Sequence, residues 1–143
     1  MKKVNYDEVP MPFGMCISQS CPVRENCLRA IAWHSVPKDV RVATVINPAL
    51  TKEGENCPVW SSPAFVTYAR GFIDMQQNMK TKHYKEFREI LIEKMGRTHY
   101  FDCRRGSVLI TPDEQTLIRQ TLAHVGADPD LAFDAYEKGF LWK

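Results

Sequence analysis

The sequence contains no apolar run approaching the roughly 18 residues that a membrane-crossing helix requires, no glycine-rich phosphate loop and no H-E-x-x-H pair. These absences argue against membrane insertion, nucleotide binding of the common kinds and zincin chemistry. Charge of one sign is also scarce. A formal net charge of +2 is too small to mark a nucleic-acid or anionic-surface binder unless the charges cluster. The first ten residues, Met-Lys-Lys-Val-Asn-Tyr-Asp-Glu-Val-Pro, break into charge and proline before an export signal could form, so the expected address is cytoplasmic, with no membrane partner. What is present is ordinary: 143 residues, 44% hydrophobic and 25% charged, sit at globular averages. The expectation is one domain over 1-143, a Cys-containing part at 1-60 packed on a body at 61-143.

Cysteine breaks the ordinary pattern. Cys16, Cys21, Cys27 and Cys57 follow a C-x4-C-x5-C-x29-C spacing, with Cys103 apart from them. An odd number in a chain expected in a reducing compartment speaks against a disulfide framework. Four readings remain, ranked as a structural zinc site, buried core thiols without metal, an iron–sulfur cluster, and disulfides. Spacing alone does not choose, because the C-x2-C knuckle that specifies zinc is missing.

Helix geometry adds a condition. On one continuous helix Cys21 and Cys27 would stand about 9 Å apart along the axis and about 240° around it, too far for one ion. A shared metal therefore requires a turn at Cys21-Pro22, which proline favours by driving the residue before it out of the α region. His34, seven residues and about 10 Å beyond Cys27 on the same predicted helix, is a poor fourth ligand. Cys57, reached through a polar loop, is the better one.

Along the chain, Pro10, Pro12 and Gly14 predict an irregular start, and the periodicity of Cys27, Leu28, Ile31 and Ala32 predicts a helix over 23–34. A strand is expected over the β-branched stretch 40–46, and another over 65–70. A helix is expected over 83–95, stopped by Gly96. Residues 97–103 and 107–110 read as a hairpin around Arg104-Arg105-Gly106. Thr111-Pro112-Asp113-Glu114 has capping-box chemistry for a helix ending at Gly126, and Asp128-Pro129 signals a last helix to about Lys138. The apolar Phe140, Leu141 and Trp142 should dock on a core. The resulting class is α+β, with a small, mainly antiparallel sheet, about four helices and an irregular Cys-rich N-terminal segment.

Arg97, Arg104, Arg105 and Arg119, interleaved with Tyr100 and Phe101, form the candidate surface for a macromolecular partner, nucleic acid included. The same pattern also suits arginine stems lying on aromatic faces within the fold. Catalytic pairs are poor. On a strand, His99 and Cys103 would stand about 13 Å apart, too far for proton transfer, and Cys103 reads as a small buried residue. The expectation is a non-enzymatic, zinc-containing binding protein, with a redox or iron–sulfur sensor as the alternative and a protein with plain core thiols as the other.

Taken in order, Cys16-x4-Cys21-Pro-x4-Cys27-Leu-Arg, Ile46-Asn-Pro, Cys57-Pro, Tyr68-Ala-Arg-Gly-Phe, Tyr100 ahead of Arg104-Arg-Gly, Pro112-x-Glu-Gln115, and Phe133-Asp-x-Tyr136 with Trp142 resemble a family of uncharacterised Bacteroidetes proteins of similar length. The resemblance implies a bacterial, anaerobic source and a recurring four-cysteine pattern. It implies no substrate, and Cys103 stands outside the pattern.

Overall fold

The computed structural model describes residues 2–143. Its helices and strands run α1 (Leu28–His34), β1 (Phe65–Arg70), α2 (Ile73–Gln77), α3 (Thr81–Met95), α4 (Arg97–Arg105), α5 (Pro112–His124) and β2 (Ala135–Phe140), with short 3₁₀ turns in the N-terminal part. The two strands form one antiparallel sheet, so the class is α+β. The chain divides into two compact units, Met1–Ala64 with Phe140–Lys143, and Phe65–Gly139.

In the first unit, α1 presents Leu28, Ile31 and Ala32 at helical spacing, all buried. Seven residues are too few to hold a helix by propensity, so packing sustains it. Leu28 and Ala32 close on Phe13, Met15 and Phe140, while Trp142 sets its ring edgewise to Phe13 at 4.9 Å and Phe140 at 5.8 Å. Fully burying each such large apolar side chain contributes about 1.5–3 kcal/mol. The aromatic tail docks as its composition predicts, and the Ser61 hydroxyl donates to the Lys143 carbonyl at 2.8 Å.

Two N-terminal expectations need correction. The helix expected over 23–34 is split: a 3₁₀ turn at Arg24–Asn26 is followed by Cys27 in an extended conformation (φ −129°, ψ 120°), and α1 begins only at Leu28. The strand expected over 40–46 reduces to one parallel bridge between Met15 and Val45, because β-branched residues without a pairing partner do not make a sheet.

The second unit buries one core from α2 to α5 and β1, with Phe72, Phe87, Leu91, Tyr100, Cys103, Ile110, Ile118 and Leu122 fully enclosed. Strand β1 and helices α3 and α5 match expectation. Gly96 takes a positive φ of 85° after α3, and Thr111 and Glu114 form the capping box of α5 with both bonds in place. The hairpin does not form. Residues 97–105 are helix α4, and Gly106 (φ 80°) is its left-handed cap, with Ser107 donating to Asp102 and Gly106 to Cys103. Of the strand expected at 107–110, only the pair Ala69–Ile110 remains, bonded in both directions at 3.1 and 2.8 Å.

The last helix is absent too. Asp128 caps a turn through the Asp130 amide at 2.9 Å, and the chain enters β2 instead.

One group in this core is anomalous. Among the described residues the Tyr100 hydroxyl is buried without a well-formed hydrogen bond, and burial, reinforced by the nearby Tyr84 side chain, pushes its pKa up. An unpaired buried hydroxyl costs about 1–3 kcal/mol. Tyr100→Phe is therefore expected to leave stability unchanged or raise it by up to about 1 kcal/mol, read from urea unfolding midpoints.

Candidate metal centre

Each of the four N-terminal cysteines arrives on its own braced segment. Cys16 donates its backbone amide to the Arg29 carbonyl at 3.1 Å, just after the bridged Met15. Cys21 precedes the turn that Pro22 enforces, its carbonyl accepting from the Arg24 amide at 3.3 Å. Cys27 is the N-cap of α1, with its carbonyl taking the Ala30 and Ile31 amides. Cys57 sits in a tight turn between Gly54 and Trp60, whose indole donates to the Asn26 carbonyl at 2.9 Å. The required turn at Cys21-Pro22 is thus present.

Arg29 ties these pieces together. Its guanidinium donates to Val59 at 2.7 Å and to Gly14 at 2.6 Å, joining the segments that carry Cys57 and Cys16. Arg24 reaches the Gln19 carbonyl at 2.5 Å, and the Ser20 hydroxyl bonds the Glu53 carboxylate. His34 closes the far end of α1 from Cys27, as its sequence distance requires.

All four cysteines line one small cavity with about 30 Å³ of room, enough for one or two water-sized bodies. Cys27 is buried and the other three are half-buried, with no disulfide among them. Cys27, at 8% exposure, is one of the buried apolar residues of the chain, so the core-thiol reading applies to it as well. Arg24, Arg29, Lys52 and Glu53 are among the residues around the cavity, with the Arg24 and Arg29 guanidinium groups bonded to backbone carbonyls. The Lys52 amide also donates to Cys57 Sγ at 3.5 Å, the kind of outer bond that orients a thiolate ligand. Among the described residues, no three of these sulfurs lie within 4.8 Å of one another, against about 3.8 Å for thiolates on tetrahedral zinc.

The candidate arginines are individually engaged inside the second unit. Arg97 lies over the Phe101 ring at 5.4 Å, and Arg104 bonds the Gln76 side chain at 2.8 Å. Arg105 pairs with Asp102 and donates to Ser107. Arg119 holds the Pro129 and Leu131 carbonyls at 2.7 and 3.0 Å, with its guanidinium 5.1 Å from the Phe133 ring. Stems on aromatic faces and heads on internal acceptors describe structural arginines.

The sequence reading passed over a second cluster, because it placed residues 97–103 on a strand. On α4, His99 and Cys103 are one turn apart and share a face, with His99 Nε2 3.5 Å from Cys103 Sγ. Glu114, the third residue of α5, accepts Thr111 bonds on Oε1 and meets His99 Nε2 at 2.5 Å through Oε2. Among the described residues this is the group of three such ligand atoms lying within 4.8 Å of one another. The i, i+4 spacing of His99 and Cys103 was the available signal. Burial first, then the Glu114 and Asp102 carboxylates, push the Cys103 thiol up to about 12. That shift disfavours the free thiolate that a nucleophile would need. Burial also draws the Glu114 carboxyl upward, but bonds from His99 and Thr111 outweigh it and hold the group below its usual range.

Among the described residues, no helix is long and apolar enough to cross a membrane. No curated protein and no solved structure matches the chain. A family model does match, along residues 1–142. The chain belongs to that family, the family of unknown function DUF6078.

Proposed function

We propose that the N-terminal unit is a zinc module in which Cys16, Cys21, Cys27 and Cys57 hold one structural ion. The carrying observation is that four cysteines from four separately braced segments line a single small cavity. Binding would draw the sulfurs inward to zinc distance and fasten segments that share little regular structure. Because protein sulfur would take all four positions, no site is left for water or substrate. The module itself therefore serves shape rather than catalysis, and the reading is of a protein that acts by binding a macromolecular partner. Nucleic acid has the weaker support, since Arg97, Arg104, Arg105 and Arg119 are committed within the fold.

An iron–sulfur cluster would use the same ligands, but room of about 30 Å³ suits a single ion better than eight inorganic atoms. Elemental analysis of anaerobically purified protein should find at least one zinc per chain that survives the His99→Gln substitution. Stoichiometric iron with a visible chromophore would replace zinc by a cluster, and neither metal would leave the thiols as packing.

A further inference from the structure

We infer that His99, Cys103 and Glu114 form a second metal site, a three-ligand position for a zinc-type divalent ion with its fourth coordination place open. The inference stands apart from the cysteine module: it uses other residues, in the other unit.

The argument starts from which atoms converge. A Cys-His-carboxylate relay uses the two ring nitrogens for different partners, one facing the nucleophile and the other the orienting acid. Here the same nitrogen, His99 Nε2, faces both Cys103 Sγ at 3.5 Å and Glu114 Oε2 at 2.5 Å. Three heteroatoms pointed at one locus are the arrangement of a coordination site rather than of a relay. A nitrogen, a sulfur and a carboxylate oxygen are also the mixed donor set that zinc and its neighbours accept.

Of the three ligand separations, nitrogen–sulfur already fits, nitrogen–oxygen needs an adjustment, and sulfur–oxygen lies within 4.8 Å. With Zn–N and Zn–S bonds of about 2.05 and 2.3 Å, tetrahedral ligands stand about 3.6 Å apart, and the nitrogen–sulfur separation is 3.5 Å. Nitrogen and oxygen would need about 3.4 Å, so the His99–Glu114 contact must open by roughly 0.9 Å from its 2.5 Å. His99 can supply that movement, since its side chain is 43% exposed. Glu114 is held on its other oxygen by the Thr111 amide and hydroxyl, which fixes the carboxylate without occupying Oε2. Those bonds play the outer-shell part that orients a metal-bound carboxylate.

Charge favours the same occupant. Cys103 lies in the core at 0% exposure, where a thiolate alone would be costly. A thiolate, a carboxylate and a neutral imidazole around a divalent cation sum to zero. The site opens to solvent on the His99 side, so the fourth position falls to water or to a small exogenous ligand, unlike the closed four-sulfur set.

The test uses the full-length chain, stripped of metal and titrated with zinc alone. Wild type should take up two equivalents, His99→Gln one, and Cys27→Ser one that depends on His99. In parallel, the ring nitrogens of His99 are followed by long-range ¹H–¹⁵N correlation NMR. Zinc should move the Nε2 resonance of His99 while the other three histidines stay in place. Because His99 is half-exposed, its Gln variant should fold, and native-like dispersion in the same spectra confirms that. Unchanged stoichiometry in His99→Gln, or an imidazole that ignores zinc, overturns the inference. Failure of the cysteine module looks different: wild type would then hold a single equivalent that His99→Gln abolishes.

Discussion

Cys27→Ser is expected to abolish zinc retention by the N-terminal unit and to lower its stability by about 3 kcal/mol or more at saturating zinc. The size follows from linkage: an ion present at 100 times its dissociation constant stabilises the folded state by about 2.7 kcal/mol, and tighter sites give more. The direction makes the experiment decisive. Cys27 is the N-cap of α1 and makes no side-chain capping bond, whereas serine is among the best N-cap residues. Were Cys27 only a cap and a packing group, the substitution should be neutral or gain up to about 1 kcal/mol. Metal binding therefore predicts a loss where helix chemistry predicts a gain. Thermal melts with and without chelator separate the two. Chelator should destabilise the wild type and leave Cys27→Ser unmoved in the melting of this unit.

The second large effect lies in the other core. Phe72 is wholly buried, with Phe87 edgewise at 6.0 Å and Tyr100 at 5.6 Å, and its amide donates to the Arg104 carbonyl at 3.0 Å. It thereby links the end of β1 to α3 and α4. Phe72→Ala should cost about 3–5 kcal/mol, the usual range for emptying a buried phenylalanine site, against a total stability of about 5–15 kcal/mol for a domain. Urea unfolding followed by tryptophan-independent far-UV circular dichroism would show it. Phe65→Ala, at a residue 58% exposed at the start of β1, is expected to change stability by less than about 0.5 kcal/mol.

The elements that could be read from sequence are those whose signals are local. Thr111 to Glu114 carries its capping box in four adjacent residues, and Gly96 stops α3 by its own backbone freedom. Helix α4 is different. Thr98, Tyr100 and Phe101 give its residues strand-like propensity, and Gly106 serves equally as a hairpin turn or a helix cap. What decides for helix is tertiary: Tyr100 and Cys103, three apart, are buried together against Phe72.

At Asp128-Pro129 the start signal was real but led to a turn, because Arg119 takes up the Pro129 and Leu131 carbonyls from α5. The candidate cysteine site was legible for a simple reason. Its condition, a turn at Cys21-Pro22, depends on one proline. The His99, Cys103 and Glu114 cluster was hidden because it requires α4 to be a helix before its members can meet.

The most direct test of the zinc module is the zinc K-edge X-ray absorption spectrum of the full-length His99→Gln protein, in which the second site is removed, loaded with one equivalent of metal. Four thiolates predict a first shell of four sulfur scatterers at about 2.3 Å. A shell dominated by nitrogen or oxygen at about 2.0–2.1 Å would contradict it, placing the ion elsewhere and returning Cys16, Cys21, Cys27 and Cys57 to packing.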